Sequence, residues 1–164
     1  METNKLFIRF SATRHFTEVD HSLKMTIRRA ILKTLEYEVF PCDTEVSVTL
    51  CDNEYIKELN KKYRNKDKAT DVLSFPLYDF DEEGDDPFEI EETVMLGDIV
   101  ISVERAKEQA KEVGNGFHEE ISFLTIHSTL HLLGYDHERS EEDEKAQITA
   151  QKDIVKIIKE EYRI

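Results

Sequence analysis

The sequence predicts a single α+β domain, in which a mixed β-sheet of about four strands packs against about five helices. The 164 residues match the length of one domain and are enough to bury a substantial core. Segments with strand-like alternation and segments with helical periodicity are interleaved, but they do not alternate strictly as in a parallel α/β fold. The sequence contains no internal repeat and no linker that would divide residues 1–164.

The chain begins with a predicted strand and a long predicted helix. In Lys5–Phe10, the apolar residues Leu6, Ile8 and Phe10 occupy every second position, which is typical of a half-buried strand. Residues His21–Glu38 carry an apolar stripe at helical spacing, and Asp20 or Ser22 can cap the first turn of this helix. Pro41 marks the end of the helical region, because a proline cannot continue a helix.

Three strands, a short helix and an acidic segment form the middle of the chain. Glu45–Cys51 is a predicted strand, and Asp52 or Asn53 then caps a short helix. Thr70–Leu77 contains a proline, so we expect a strand near the edge of the sheet. Residues 79–92 hold nine acids and no base, which predicts a solvated loop or hairpin tip before the strand over residues 94–103.

Three predicted helices complete the fold. Glu104–Val113 is a polar helix that ends at a glycine. Phe117–Leu133 is apolar around most of its circumference, which indicates a central, buried helix. Ser140 begins a last amphipathic helix. Its predicted apolar face consists of Ala146, Ile148 or Thr149, Ile154, Ile157 and Ile158.

The composition excludes several classes of protein. The chain has 22 Lys and Arg residues against 36 Asp and Glu residues, a net charge of -14, which argues against a protein that coats nucleic acid. We expect neither a signal peptide nor a membrane-spanning segment, because the first residues lack a basic and an apolar region and no apolar run approaches the length of a bilayer. Cys42 and Cys51 cannot form a disulfide framework or a cysteine zinc cluster. We therefore expect a reduced, cytoplasmic protein without a membrane or DNA partner.

Three histidines form the most informative pattern. His127 and His131 are one helical turn apart on the most apolar helix, so both imidazoles can reach one ion. Gly134 can end this helix and let the chain bring His137 to the same point. Three imidazoles fill three positions of a tetrahedral Zn²⁺ and leave the fourth for water. The pattern predicts one Zn²⁺ per chain on the central helix, and separate histidines on a helix face are the alternative.

The histidine pattern differs from that of the zinc peptidases at one position. Those enzymes place a glutamate general base directly after the first histidine. Ser128 occupies that position and cannot act as a base at neutral pH. A metal could still polarise a carbonyl or phosphoryl oxygen. The remaining histidines lack this spacing: His15 and His21 are expected to be exposed, and His118 is expected to be a surface or capping residue.

A cluster of basic residues stands out in the acidic chain. It consists of Lys61, Lys62, Arg64, Lys66 and Lys68. A solvated helix end explains some of the lysines. The planar guanidinium of Arg64 suits a phosphate group, so beside a metal site Arg64 is predicted to contact a substrate phosphate.

Three motifs resemble the YbeY family of bacterial endoribonucleases and rRNA maturation factors. They are the segments Leu59–Pro76, Leu96–Ile99 and His127–His137, in the order found in that family. The resemblance implies a mixed sheet with helices, a zinc held by the three histidines, and a functional arginine at Arg64. It further implies cleavage of single-stranded RNA in rRNA processing, notably at the 3′ end of 16S rRNA, and in ribosome quality control. The implied partners are ribosomal RNA and the small ribosomal subunit or its assembly factors.

Two residues depart from the family pattern without removing a proposed ligand. Ser128 stands where the family usually has glycine, and Ala69 where it usually has proline. The Ser128 hydroxyl could narrow the site or hydrogen-bond a bound water. No residue is a clear general base, although Asp98 and Asp136 are candidates for orienting a histidine or a water.

Three functions are compatible with these patterns. The first is a zinc-dependent endoribonuclease with His127, His131, His137 and Arg64 in its catalytic site. The second is a metallohydrolase of peptides or small esters or amides, against which the missing glutamate argues. The third is a non-enzymatic ribosome assembly factor with a structural zinc, against which the open fourth position argues. For the first we expect a polarised surface, with a basic approach to the metal and acidic faces elsewhere.

Overall fold

The computed structural model describes residues 4–80, 93–135 and 140–162. Within these ranges the strands are β1 (Leu6–Ala12), β2 (Asp43–Cys51), β3 (Val72–Pro76) and β4 (Thr93–Ser102). The helices are α1 (His21–Tyr37), α2 (Asn53–Arg64), α3 (Val103–Val113), α4 (Phe117–Leu132) and α5 (Glu141–Tyr162). The predicted α+β class is confirmed. Most of the predicted acidic loop, residues 81–92, lies outside the described residues.

The sheet is mixed, with the strand order β1-β2-β4-β3. β1 pairs with β2 and β2 with β4 in parallel, whereas β3 pairs with β4 antiparallel. β3 is therefore an edge strand, as its proline predicted. A proline is tolerated there because it has no N–H group to donate to a neighbouring strand.

Helices cover both faces of the sheet. α1 and α4 pack on one face, in a core that includes Ile27, Ile99 and Ile121. α2 packs on the opposite face, where Ile56 belongs to the same buried cluster as Leu73. α5 packs outside α1 and α4 as an additional layer, so α4 is buried on most sides, as predicted. Across the described parts of the chain, no helix is long and apolar enough to cross a membrane.

β4 contains a bulge at Gly97. Glu45 pairs with Met95 and the next residue, Val46, pairs with Gly97, so β4 carries one extra residue. Gly97 has a φ of +148°. A Cβ atom at this position would lie 2.2 Å from the carbonyl oxygen of Phe75 in β3. Only a glycine fits where the edge strand approaches β4 this closely.

Aspartates cap the first two helices, in agreement with the sequence. Asp20 accepts a hydrogen bond from the Leu23 N–H group, and Asp52 accepts one from the Tyr55 N–H group, both at 2.9 Å. Arg14 Nε donates to the other carboxylate oxygen of Asp52 at 3.3 Å. The Tyr55 N–H group and then the Arg14 guanidinium lower the pKa of Asp52 from its ordinary value of 3.8.

Replacing Asp52 with alanine is expected to destabilise the protein by about 1 kcal/mol at pH 7, because α2 loses its N-cap. Since the folded-state pKa is lowered, the contribution of the carboxylate is fully present above the unfolded-state value and is lost as the pH falls through the folded-state value. Urea denaturation of wild type and Asp52→Ala between pH 7 and pH 2 measures this difference. A difference that stays constant over that range would contradict the assignment.

The buried face of α5 differs from the predicted one. Of the predicted apolar positions, Ile154 and Ile158 are buried, but Ala146, Ile148, Thr149 and Ile157 are exposed. The buried residues are Gln147, Ala150, Gln151, Ile154 and Ile158. These follow helical spacing, but two of them are polar. The prediction left out the two glutamines, so the predicted face is rotated about the helix axis relative to the buried one.

Candidate functional site

Two of the three predicted metal ligands meet at one point. His127 and His131 lie on the same face of α4, and both are half-buried. Their Nε2 atoms are 3.2 Å apart, and their ring centroids are 4.7 Å apart. The helix itself produces this arrangement, because side chains four residues apart lie one above the other.

The geometry of this histidine pair fits a tetrahedral metal ion. Zinc binds an imidazole nitrogen at about 2.0–2.1 Å, so two nitrogens on a tetrahedral ion are about 3.3 Å apart. The observed separation of 3.2 Å is close to that value without movement of either side chain. Imidazole nitrogen is also a ligand type that suits zinc.

The chain turns at Gly134, directly after the C-cap of α4, as the glycine between the second and third histidines predicted. Gly134 has a φ of +110°. The backbone N–H groups of Gly134 and Tyr135 donate to the carbonyls of His131 and Leu130 at 3.1 and 3.0 Å. This is a Schellman motif, which turns the chain off the helix axis. His137 follows the turn.

The third predicted ligand lies beyond this turn. His137 and its neighbour Asp136 fall in residues 136–139, outside the described residues. Within the described ranges, no group of three or more His, Cys, Asp or Glu residues could hold a metal ion. Ligation by His137 and an orienting role of Asp136 therefore stay predictions.

Tyr135 anchors the chain directly after the turn. Its hydroxyl donates to Glu38 Oε1 at 2.8 Å, at the end of α1. Burial and then this hydrogen bond raise the pKa of Tyr135 to about 12. The phenol is therefore protonated at neutral pH, and the contact ties the residue before Asp136 to α1.

Cys51 does not supply a nucleophile to the site. Cys51 is buried and Cys42 is partly buried. Burial raises the pKa of the Cys51 thiol to about 12. A thiol with this pKa is inert at neutral pH, because the thiolate is the reactive form.

Two glutamines that the apolar pattern of the sequence did not predict as buried contact His127. The Nε2 atoms of Gln147 and Gln151 lie 3.2 and 3.0 Å from Nδ1 of His127. Both glutamines are nearly fully buried, with 1% and 6% exposure. A signal for them exists in the sequence, because they are four residues apart on one face of an amphipathic helix. A polar residue on such a face requires a partner.

Ser128 links α4 to the edge strand. Its hydroxyl hydrogen-bonds that of Ser74 in β3, and Ser128 is fully buried. The sequence suggested that this hydroxyl could narrow the metal site or bond a water. The structure gives it a partner in the sheet, so it contributes to the packing of α4.

Arg64 lies in the last turn of α2 and is exposed. Lys61–Lys68, the basic segment, is exposed along its whole length. The helix ends in a left-handed residue, Asn65, with a φ of +56°. Asp67, the acid within the segment, forms ion pairs at 3.9 Å with Lys57 and Lys61. Arg64 therefore stands on a solvent-accessible basic surface.

An exposed aromatic ring accompanies the basic segment. Tyr63 is 57% exposed, and its ring contacts Phe75 of β3 edge-on, with 5.3 Å between the centroids. Lys62 Nζ lies 5.2 Å from the centroid of the Tyr63 ring. Exposed aromatic rings among basic groups are the combination with which proteins bind single-stranded nucleic acid.

The histidine pair and the basic segment lie on opposite sides of the sheet. α2 packs on the face of Leu73 and Phe75, whereas Ser74 faces α4. A ligand that touches both Arg64 and the histidine pair therefore extends around the edge strand β3. Asp98 pairs with Phe75 and shares its face, so the register does not support the prediction that Asp98 orients a histidine of this pair.

The remaining histidines are exposed, as predicted. His15 and His21 are exposed. His118, in the first turn of α4, is also exposed, and its Nδ1 atom lies 2.8 Å from Oγ1 of Thr26. They are not part of the histidine pair.

Known proteins resemble this chain along most of its length. The family model described as Endoribonuclease YbeY matches residues 9–159. A Caldanaerobacter subterraneus subsp. tengcongensis protein named Endoribonuclease YbeY is 55% identical over 130 residues, which are 77% of this chain and 82% of that protein. The chain belongs to the endoribonuclease YbeY family. A Bacillus cereus protein of the same name is 47% identical over 141 residues, which are 84% of this chain and 88% of that protein.

A solved structure shares the fold. The solution structure of TM1509 from Thermotoga maritima has a TM-score of 0.60 and 30% identity, and the match covers 96% of this chain and 92% of that one. Membership of the YbeY family confirms the resemblance seen in the three motifs. The relatives are named as RNA-cleaving enzymes, which confirms the prediction of an enzyme. The roles of Arg64, His127, His131 and His137 stay predictions.

Proposed function

We propose that this chain is a zinc-dependent endoribonuclease that cleaves single-stranded RNA. Its proposed roles are rRNA processing, including maturation of the 3′ end of 16S rRNA, and ribosome quality control. The observation that carries the proposal is the 3.2 Å approach of the His127 and His131 Nε2 atoms, in a chain of the YbeY family. One zinc ion per chain, held by these residues and His137, is the proposed cofactor. Residues 1–164 form the proposed metal-dependent hydrolase domain.

In the proposed mechanism, the zinc ion, the histidine pair and Arg64 have separate roles. When bound, the ion polarises a phosphoryl oxygen and lowers the pKa of water. His127 and His131 hold the ion on a buried helix, which limits changes in ring orientation. Arg64 offers a planar guanidinium that neutralises the charge developing on the phosphate.

The surface around β3 favours an extended, single-stranded substrate. A strand that reaches both Arg64 and the histidine pair passes around the edge of the sheet, where Tyr63 is exposed. Unpaired bases can stack on such a ring, whereas bases within a duplex are already stacked. The basic segment attracts the phosphates that connect these bases.

The acidic character of the chain favours guidance by a partner. A net charge of -14 opposes broad, non-specific binding to RNA. The basic segment is confined to one end of α2, so it provides local contacts only. We therefore propose that ribosomal RNA within the small ribosomal subunit, or an assembly factor bound to it, brings the cytoplasmic enzyme to its cleavage site.

Incubation of the purified full-length chain with single-stranded RNA and with an unstructured protein tests the proposed function. RNA cleavage that is lost on chelation and restored by zinc is the expected result. Cleavage of the protein but not of the RNA would overturn it in favour of a metallohydrolase of peptides. Bound zinc without either activity would favour a structural zinc in an assembly factor.

Replacing Arg64 with alanine is expected to lower kcat/KM for RNA by about 10²-fold or more, the usual loss for one group that stabilises transition-state charge. Zinc content is expected to stay unchanged. Arg64→Lys restores activity only in part, because an ammonium group cannot contact a phosphate through two parallel N–H groups. Lys57→Ala is the matched control, since Lys57 is a cation on the same helix outside the basic segment. Equal losses in Arg64→Ala and Lys57→Ala would contradict a specific role of Arg64.

A further inference from the structure

We propose that Gln147 and Gln151 of α5 are positioning residues that set the tautomer of His127 for metal binding, by presenting an amide oxygen to its single Nδ1–H group. The proposal rests on the proposed function, since it concerns the same metal site. It is carried by the two amide contacts to one ring nitrogen, at 3.2 and 3.0 Å, and by the burial of both glutamines.

In the structure, two amide nitrogens face one ring nitrogen. The Nε2 atoms of Gln147 and Gln151 lie within hydrogen-bond distance of Nδ1 of His127. An imidazole nitrogen that accepts N–H groups carries no proton and has a single lone pair in the ring plane. The proton of a neutral His127 then resides on Nε2, which lies 3.2 Å from Nε2 of His131. In this arrangement Nε2 of His127 is a hydrogen-bond donor and cannot be a metal ligand.

Metal binding through Nε2 reverses these roles. The ligand nitrogen gives its lone pair to the ion, so the proton of the neutral ring resides on Nδ1. The Nδ1–H group of a metal-bound histidine is almost always hydrogen-bonded to an oxygen acceptor. The amides of Gln147 and Gln151 are within reach of it. Rotation of an amide by 180° exchanges its nitrogen for its oxygen with almost no change in shape.

The oxygen of the Gln147 amide is available to accept a hydrogen bond from Nδ1–H of His127. Its Oε1 atom is buried and has no hydrogen-bond partner among the described residues. After rotation this oxygen accepts from Nδ1–H, and the amide nitrogen takes the position that lacks a partner. The rotation therefore leaves the number of hydrogen bonds of the Gln147 amide almost unchanged. Metal binding by His127 makes the rotated orientation the favoured one.

Glutamine is suited to both arrangements because its amide can donate or accept. A glutamate carboxylate can only accept a hydrogen bond, and a methionine of similar length does neither to a comparable extent. This difference explains why two polar residues occupy the buried face of α5 beside Ala150, Ile154 and Ile158. It also provides the variants that separate the proposed role from packing.

Zinc affinity, measured by competition with a chelator, tests the proposal. Gln147→Met and Gln151→Met are expected to weaken zinc binding by about 10–100-fold, the usual effect of losing the partner of a ligand histidine. Gln151→Glu is expected to bind zinc at least as tightly as wild type, since a carboxylate accepts from Nδ1–H. Gln109→Met is the matched control, because the Gln109 amide nitrogen donates to Asp71 and Glu120 instead. It is expected to leave zinc affinity unchanged.

The exchange rate of the Nδ1 proton provides a second readout, in which the methionine variants are compared with the Gln109→Met control. In ¹H–¹⁵N spectra of the zinc-loaded protein, the His127 Nδ1–H signal is expected to exchange slowly with solvent in wild type and faster in Gln147→Met. Urea denaturation checks that each variant folds.

Each result decides between the proposed function and this inference. Wild-type affinity and exchange in both methionine variants would overturn the inference but leave the metal site standing. A loss of zinc affinity in Gln151→Glu as large as in Gln151→Met would show that the amide must donate a hydrogen bond. That result would also overturn the inference. A wild-type chain that binds no zinc would overturn the proposed function itself.

Discussion

Replacing His131 with alanine is expected to abolish zinc binding and to lower RNA cleavage by about a thousandfold or more. The variant leaves His127 without the nitrogen that lies 3.2 Å from its own Nε2 atom. A metal ion contributes several kcal/mol of charge stabilisation in the transition state, and about 4 kcal/mol corresponds to a factor of a thousand. Zinc content and the rate of RNA cleavage, measured on the same preparation, check both parts of this expectation.

His118→Ala is the matched control for this experiment. His118 lies on the same helix but at its exposed first turn, where its Nδ1 atom contacts Thr26. This variant is expected to keep its zinc and its activity. Full zinc content and full cleavage in His131→Ala would contradict the proposed site, whereas a loss of both in His118→Ala would point to a general effect on α4.

Replacing Gly97 with alanine is expected to destabilise the protein by about 4 kcal/mol. Two costs add: the φ of +148° disfavours any residue with a Cβ atom, and that atom would overlap the Phe75 carbonyl oxygen, 2.2 Å away. The obstacle is backbone, so relief requires movement of the edge strand β3. Thermal unfolding is expected to show a midpoint lowered by about 10 °C or more.

Gly114→Ala separates the two costs. Gly114 also has a positive φ, +76°, but a Cβ atom there would meet nothing within 4 Å. The free energy of unfolding of this variant is expected to fall by only about 1–2 kcal/mol, the cost of the left-handed conformation for an L-residue. Equal losses at the two positions would show that the close approach of β3 to β4 contributes nothing. A larger loss at Gly97 would assign the difference to that contact.

Movement of β3 in Gly97→Ala would also displace the part of α4 that carries the histidine pair. Ser74 of β3 bonds Ser128, which directly follows His127 in α4. The bulge glycine thus belongs to the fold and to the support of the candidate site. This explains physically why a glycine occurs in the Leu96–Ile99 motif.

Most elements of the fold could be predicted from the sequence because they depend on near neighbours. The caps at Asp20 and Asp52 use N–H groups three residues away. The pairing of His127 and His131 follows from the pitch of one helix, and the turn at Gly134 from the conformational freedom of glycine. Strand and helix bounds agree with the predicted ones to within about two residues, the usual uncertainty of element ends.

The face of α5 could not be predicted in the same way. Gln147 and Gln151 are buried because they meet His127, which is 20 and 24 residues earlier in the chain. Apolar periodicity treats a glutamine as a surface residue, so the predicted face omitted both. Polar residues belong in a core when a distant partner compensates for their burial, and such a partner is not visible in a local pattern.

By itself, the sequence determined the class of the fold, the histidine pair on a central helix, the family of the chain and the exposed basic segment. Only the tertiary structure decided the strand order, the opposite sides on which α2 and α4 pack, the glycine-dependent contact of β3 with β4 and the glutamines behind His127. The physical reason is the sequence separation between the residues that interact. Periodicity, capping and i,i+4 spacing act within a few residues, whereas sheet order and hydrogen bonds between buried groups join residues that are distant in the chain and meet only after folding.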